Sequence, residues 1–75
     1  MNKITVDPKI RFGKPTIRDT RVAVVDVINL IAAGYGIDEI PAQFEGITRD
    51  DVIAAVEFAA QLVEEPTRVV IGVTN

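Results

Sequence analysis

The 75-residue chain has no cysteine, no histidine, no tryptophan and no serine, and its aromatics are one tyrosine and three phenylalanines. With neither thiols nor imidazoles, disulfide staples, thiolate nucleophiles, imidazole acid–base catalysis and ordinary zinc sites are excluded. The nucleophile types that remain are threonine, lysine and carboxylates. The paired acids are sequence neighbours, Asp50-Asp51 and Glu64-Glu65, which on a helix point about 100° apart and are ill placed to share a proton or a metal. Gly34-Tyr35-Gly36 lacks the Lys-Ser/Thr that a phosphate-binding loop needs. No enzyme is expected, and no catalytic residue, metal, cofactor or small-molecule substrate. No stretch approaches the roughly 18 apolar residues of a membrane span, and the opening MNKITVDPKI has no apolar secretory core. The expectation is a cytoplasmic protein that does not engage a membrane.

What is present is a globular composition, 48% hydrophobic and 25% charged, with four Pro and five Gly scattered along the chain. One domain spanning residues 1–75 is expected. A chain this short buries only about 60% of its unfolded surface, so a homodimer is expected as well. The formal charge of −3 is unevenly distributed: residues 1–21 hold six cations against two carboxylates, a net of +4, and residues 22–75 hold two against nine, a net of −7. A basic pole of this kind suits phosphates or a carboxylate-lined partner.

Lys3-Ile4-Thr5-Val6 alternates polar and apolar before Asp7-Pro8, which predicts a short strand ended by a turn. Thr16-Ile17-Arg18 and Arg21-Val22-Ala23 flank Asp19-Thr20 and read as a small hairpin or extended arm, so that residues 1–23 form a basic β arm. From Val24 the period changes, with Val24, Val27, Ile28 and Ile31 on one stripe and Asp26, Asn29 and Ala33 opposite. This helix should end at Gly34, the usual residue after a helical C-cap. Residues 37–43 read as a short second helix with Asp38 as N-cap and Pro41 in its first turn. Thr48 followed by Asp51 resembles a capping box, and a third helix is expected from Arg49 to about Glu64, stopped by Pro66. The apolar tail TRVVIGV predicts a strand within residues 66–75. The fold class expected is therefore mainly α with short β elements: a three-helix, homeodomain-like helix-turn-helix core over residues 24–64, an N-terminal β arm or hairpin and a short C-terminal strand.

A helix-turn-helix presents the start of its last helix to the major groove. Here Asp50, Asp51, Glu57 and Glu64 would face phosphates with Arg49 alone to compensate, which opposes counterion release. Bound DNA would have to be attracted chiefly by the arm of residues 9–21.

Gly13-Lys14-Pro15-Thr16-Ile17-Arg18-Asp19-Thr20-Arg21-Val22, the apolar helix closed by Ala33-Gly34, Asp38-Glu39-Ile40 and Ile47-Thr48-Arg49-Asp50-Asp51-Val52 together resemble domain-of-unknown-function family 433, which is related to VapB-type antitoxins. The resemblance covers roughly residues 3–63 and implies a homeodomain-like core. It also implies an antitoxin that neutralises a PIN-like ribonuclease by direct binding and regulates its own operon through operator DNA. The alternatives are a stand-alone DNA-binding regulator and an oligomeric interaction module without DNA. Asp19 stands where the family usually has Gly, Gly36 where a Ser-type cap is usual, and Glu45 where Pro is common. The candidate partner- or nucleic-acid-binding residues are Lys14, Arg18, Arg21 and Arg49, and the structural signature is Gly13, Pro15, Thr20, Gly34 and Thr48. Two readings of the arginines stay open: Arg18 and Arg21 either tie the arm to acidic helix faces or meet another molecule through their forked guanidinium groups. Arg21, beside the apolar run, is expected to be structural and Arg18 intermolecular.

Overall fold

A computed structural model describes residues 3–64. Strand β1 (Ile4–Thr5) pairs antiparallel with β2 (Thr16–Ile17), Ile4 opposite Ile17 and Thr5 opposite Thr16. Helix α1 (Val24–Ala32) and helix α2 (Arg49–Val63) pack against each other, and a single 3₁₀ turn, Ile40–Gln43, lies between them. The fold is α+β with two helices and a two-stranded sheet.

This corrects the three-helix, homeodomain-like helix-turn-helix core. The segment 37–43 bends as a 3₁₀ turn because it is too short to offset helix nucleation. Its chain also leaves for extended backbone at Phe44, with φ −135° and ψ 157°. Asp38 does not cap it. The Gly36 N–H donates instead to the Glu39 side chain at 2.7 Å. The turn buries Ile40 completely, and Ile37, in the bend that precedes it, is partly buried against the same core.

Of the two readings of residues 16–23, hairpin or extended arm, the structure forms the hairpin. Thr16, Ile17, Ala23 and Val24 are all buried, so this stretch is a wall of the core. An isolated bridge joins Thr16 to Ala23, and the Ile17 N–H donates to the Val22 carbonyl at 2.9 Å. The hairpin's outer neighbour is β1, a pairing that local sequence does not announce. The expected strand within residues 66–75 lies outside the described residues.

The core gathers Ile17, Val24, Val27, Ile40, Ile47, Val52 and Ala55. The phase predicted for the first helix holds at Val24 and Val27, with Asn29 exposed, whereas Ile28 and Ile31 are only half-buried. Helix α1 ends as predicted. Gly34, at φ +104°, lets its own N–H reach the Ile31 carbonyl and the Tyr35 N–H reach the Leu30 carbonyl, each at 3.0 Å, the paired bonds of a Schellman cap. Helix α2 begins on the predicted box: the Thr48 hydroxyl accepts from the Asp51 N–H at 3.2 Å, and the Asp51 carboxylate accepts from the Thr48 N–H at 2.9 Å.

Candidate functional site

At one end of the molecule two turns meet. The first, residues 7–14, is tied by the Ile10 N–H to the Asp7 carbonyl, the Gly13 N–H to the Ile10 carbonyl and the Lys14 N–H to the Arg11 carbonyl. Its three central residues are all left-handed, with φ of +53° at Arg11, +61° at Phe12 and +84° at Gly13. Glycine takes this conformation freely; for an L-residue it costs roughly 1–2 kcal/mol. Arg11 and Phe12 are therefore held against their local preference by the surrounding structure.

Arg11 supplies much of that hold. Its Nη1 donates to the Arg21 carbonyl at 2.8 Å and to the Asp26 carboxylate at 2.8 Å, while Nη2 reaches the other carboxylate oxygen at 3.4 Å. Asp26 also accepts the Ala23 N–H at 2.9 Å, closing the otherwise unsatisfied start of α1. The hydrogen bond and charge of Arg11 hold the Asp26 carboxyl below the usual carboxylate range, against the opposing effect of burial. The same contact raises the Arg11 guanidinium further above its ordinary value. A helix start, a hairpin edge and a strained turn are thus joined at one ion pair.

The second turn, residues 17–20, is closed by the Thr20 N–H to the Ile17 carbonyl at 3.0 Å. The Thr20 hydroxyl donates to the Ile17 carbonyl at 2.8 Å and accepts from the Val22 N–H at 3.1 Å. Asp19 occupies the left-handed position at φ +64°. Asp visits that region more readily than most residues, so Asp19→Gly should stabilise the fold by up to about 1 kcal/mol. A thermal melt that falls on this change would show that the Asp19 side chain contributes more than the backbone relief.

Between the two turns runs a groove of about 520 Å³, with residues 5–8 and Ile10 on one wall and residues 18–21 on the other. A second, larger groove of about 920 Å³ is lined by residues 18–22, Glu45 and Gly46. The hairpin tip is therefore a ridge shared by both. Lys9, Lys14, Arg18 and Arg21 are exposed at this end, and among the described residues none of them has a carboxylate partner within ion-pair distance.

The site residues expected from sequence divide accordingly. Arg18 and Arg21 come together on the groove, whereas Lys14 belongs to the first turn and lines neither groove. Arg21 does not tie the hairpin to an acidic helix face: its side chain is exposed, and its backbone carbonyl is what Arg11 uses. Arg49 lies elsewhere, at the start of α2, with its guanidinium on Asp38. Gly13 takes the left-handed turn and Gly34 the helix end. Pro15 presents its carbonyl to the Val24 N–H at 2.9 Å, and Thr48 caps α2. In the sequence Arg11 is one cation among the six of residues 1–21, and Phe12 carries no motif of its own. Gly13 was the sole signal of a left-handed turn in that segment.

No helix among the described residues is long and apolar enough to cross a membrane. No group of three or more metal-ligating side chains is placed among them to hold an ion.

No curated protein matches the chain with significance. A crystal structure of a DUF433 member protein from Anabaena variabilis aligns with it at a TM-score of 0.76 and 25% identity, covering 100% of this chain and 71% of that one. The family described as a protein of unknown function, DUF433, matches residues 4–59. With the greater part of its length inside that match, the chain belongs to the DUF433 family.

Proposed function

We propose that this protein is an antitoxin-type binding protein, which neutralises a PIN-like ribonuclease by docking the basic end of its fold against the nuclease's acidic surface. The observation that carries the proposal is the set of four exposed cations, Lys9, Lys14, Arg18 and Arg21, without carboxylate partners among the described residues on a rigid pair of turns. Forked guanidinium groups on a fixed ridge suit carboxylates held at a set spacing. The antitoxin identity itself comes from the resemblance of the signature to relatives of VapB-type proteins. A homodimer belongs to the proposal on grounds of chain length; light scattering at about 100 μM, a concentration at which specific interfaces form, that returned only monomer would remove it.

Operator DNA has less support. Among the described residues no helix-turn-helix presents Arg49, and Asp7 and Asp19 line the groove beside the cations, where they repel phosphates and can pair with basic groups of a protein.

Co-expression with the product of the adjacent reading frame tests the proposal. A PIN-like nuclease that co-purifies with this chain and loses RNA cleavage in its presence is the expected result. A nuclease whose cleavage is unaffected, or an isolated chain that retards its own upstream DNA at physiological salt, would transfer the function to one of the alternatives. Arg18→Ala and Arg21→Ala should each weaken the complex and leave the melting temperature nearly unchanged, since surface changes away from special features usually stay within about 0.5 kcal/mol. A large stability loss at Arg21 would restore its structural role.

A further inference from the structure

Phe12 is 96% exposed. It sits at the centre of three consecutive left-handed residues, in a turn locked by backbone hydrogen bonds on both sides and by Arg11 on Asp26 and the Arg21 carbonyl. A bulky side chain here is disfavoured twice, by its backbone conformation and by its contact with water. Glycine or asparagine would relieve the first and remove the second. A fully presented ring on a hydrogen-bonded turn, in a backbone conformation that opposes folding, suits an interface anchor: it offers a large apolar area with few rotatable bonds to order on contact.

We propose that Phe12 is the anchor of the basic end, inserting into an apolar pocket ringed by carboxylates on the partner protein, with Lys9 and Lys14 on either side as the charged rim. This rests on the partner-binding function proposed above and specifies the residue and the chemistry through which it works. Lys9 and Lys14 lie three and two residues from Phe12 in the same turn, and Arg11 fastens that turn to the hairpin carrying Arg18 and Arg21. The backbone that carries the ring is therefore fastened to the backbone that carries the hairpin cations. A single-stranded nucleic acid stacking on the ring is the weaker fit. Such sites align several aromatics in a groove of one charge sign, whereas Phe12 is the sole aromatic within residues 3–34 and Asp7 and Asp19 interrupt the positive field.

The test combines Phe12→Gly and Phe12→Tyr in the full-length chain, with the product of the adjacent reading frame, the nuclease expected under the proposed function, as probe. Phe12→Gly should weaken binding about thirtyfold, the scale of an interface hot spot, and at the same time raise the melting temperature by about 4 °C or more through release of backbone strain. Phe12→Tyr should keep most of the affinity. Equal nuclease binding by wild type and Phe12→Gly would overturn the anchor and leave the partner-binding function standing. A wild-type chain that does not bind the nuclease overturns both. Loss of self-association in Phe12→Gly with nuclease binding intact would make the ring a contact between copies of this chain. Binding of a 12-mer of oligo-dT that disappears in Phe12→Gly would make it a base-stacking platform. Either result overturns the proposal, as does a melting temperature that falls.

Discussion

Ile40→Ala should lower the stability of the protein by about 2–5 kcal/mol, the range for removing a large buried aliphatic side chain. Ile40 is fully buried, yet it belongs to a four-residue 3₁₀ turn with little backbone order of its own. The side chain fastens the connection between α1 and α2 to the core formed by Ile17, Val27, Val52 and Ala55. A domain of this length has roughly 4–11 kcal/mol in total, so the loss is a large share of what holds it together. Ile40→Val should cost about 0.5–1.5 kcal/mol, and Asn29→Ala, on the exposed side of α1, should stay within about 0.5 kcal/mol. Urea unfolding of the three variants measures this. An Ile40→Ala loss no greater than that of Asn29→Ala would mean that the connection is not fastened to the core.

The same residue shows how far the sequence could be read. Ile40 carries a helical spacing with Ile37, and Pro41 is acceptable in the first turn of a helix, so residues 37–43 satisfied every local criterion except length. What decides a seven-residue segment is whether its neighbours need a helix there, and packing one isoleucine required only a turn. Where the signal is local, the reading held. Thr48 and Asp51 close their box within three residues, and Gly34 ends α1 through bonds that span five. Thr20 likewise makes its bonds within three positions.

The parts of the site that were not legible depend on residues distant in sequence. Strand β1 meets β2 across a loop of ten residues, and Arg11 meets Asp26 across fifteen positions. In the sequence Arg11 is indistinguishable from Arg18 or Arg21, all three being arginines in a basic segment. The structure separates them by what lies opposite: a carboxylate at α1 for Arg11, open groove for the other two. Phe12 escaped notice because left-handed backbone is read from glycine and asparagine, and neither occupies positions 11 and 12. Strain imposed by tertiary contacts leaves no mark on the residues that bear it.

Asp26→Ala should be the most damaging change at the site, lowering stability by about 1–2 kcal/mol at pH 7, the sum expected for losing a helix-start acceptor and a partly screened ion pair. At 27% side-chain exposure Asp26 is sheltered enough for both contacts to count. Its folded carboxyl lies below the ordinary value, so the unfolded chain takes up its proton first as the solution is acidified. The stabilisation is complete above the ordinary range near pH 4 and disappears as pH falls through the lower, folded value. Asp51 loses stability in the same window. Burial opposes its ionisation, but the Thr48 N–H, Lys3 at 3.2 Å and the Thr48 hydroxyl outweigh that opposition. Melting temperatures of the wild type should therefore fall as the pH drops below about 4. Asp26→Asn, which keeps an oxygen for the Ala23 N–H but no charge for Arg11, should flatten that fall only in part, leaving the contribution of Asp51. Arg11→Met should lower the pH 7 melting temperature and should have less effect in an Asp26→Asn background. If the two changes add independently at pH 7, the ion pair does not hold the turn, and Phe12 is presented by its backbone hydrogen bonds alone.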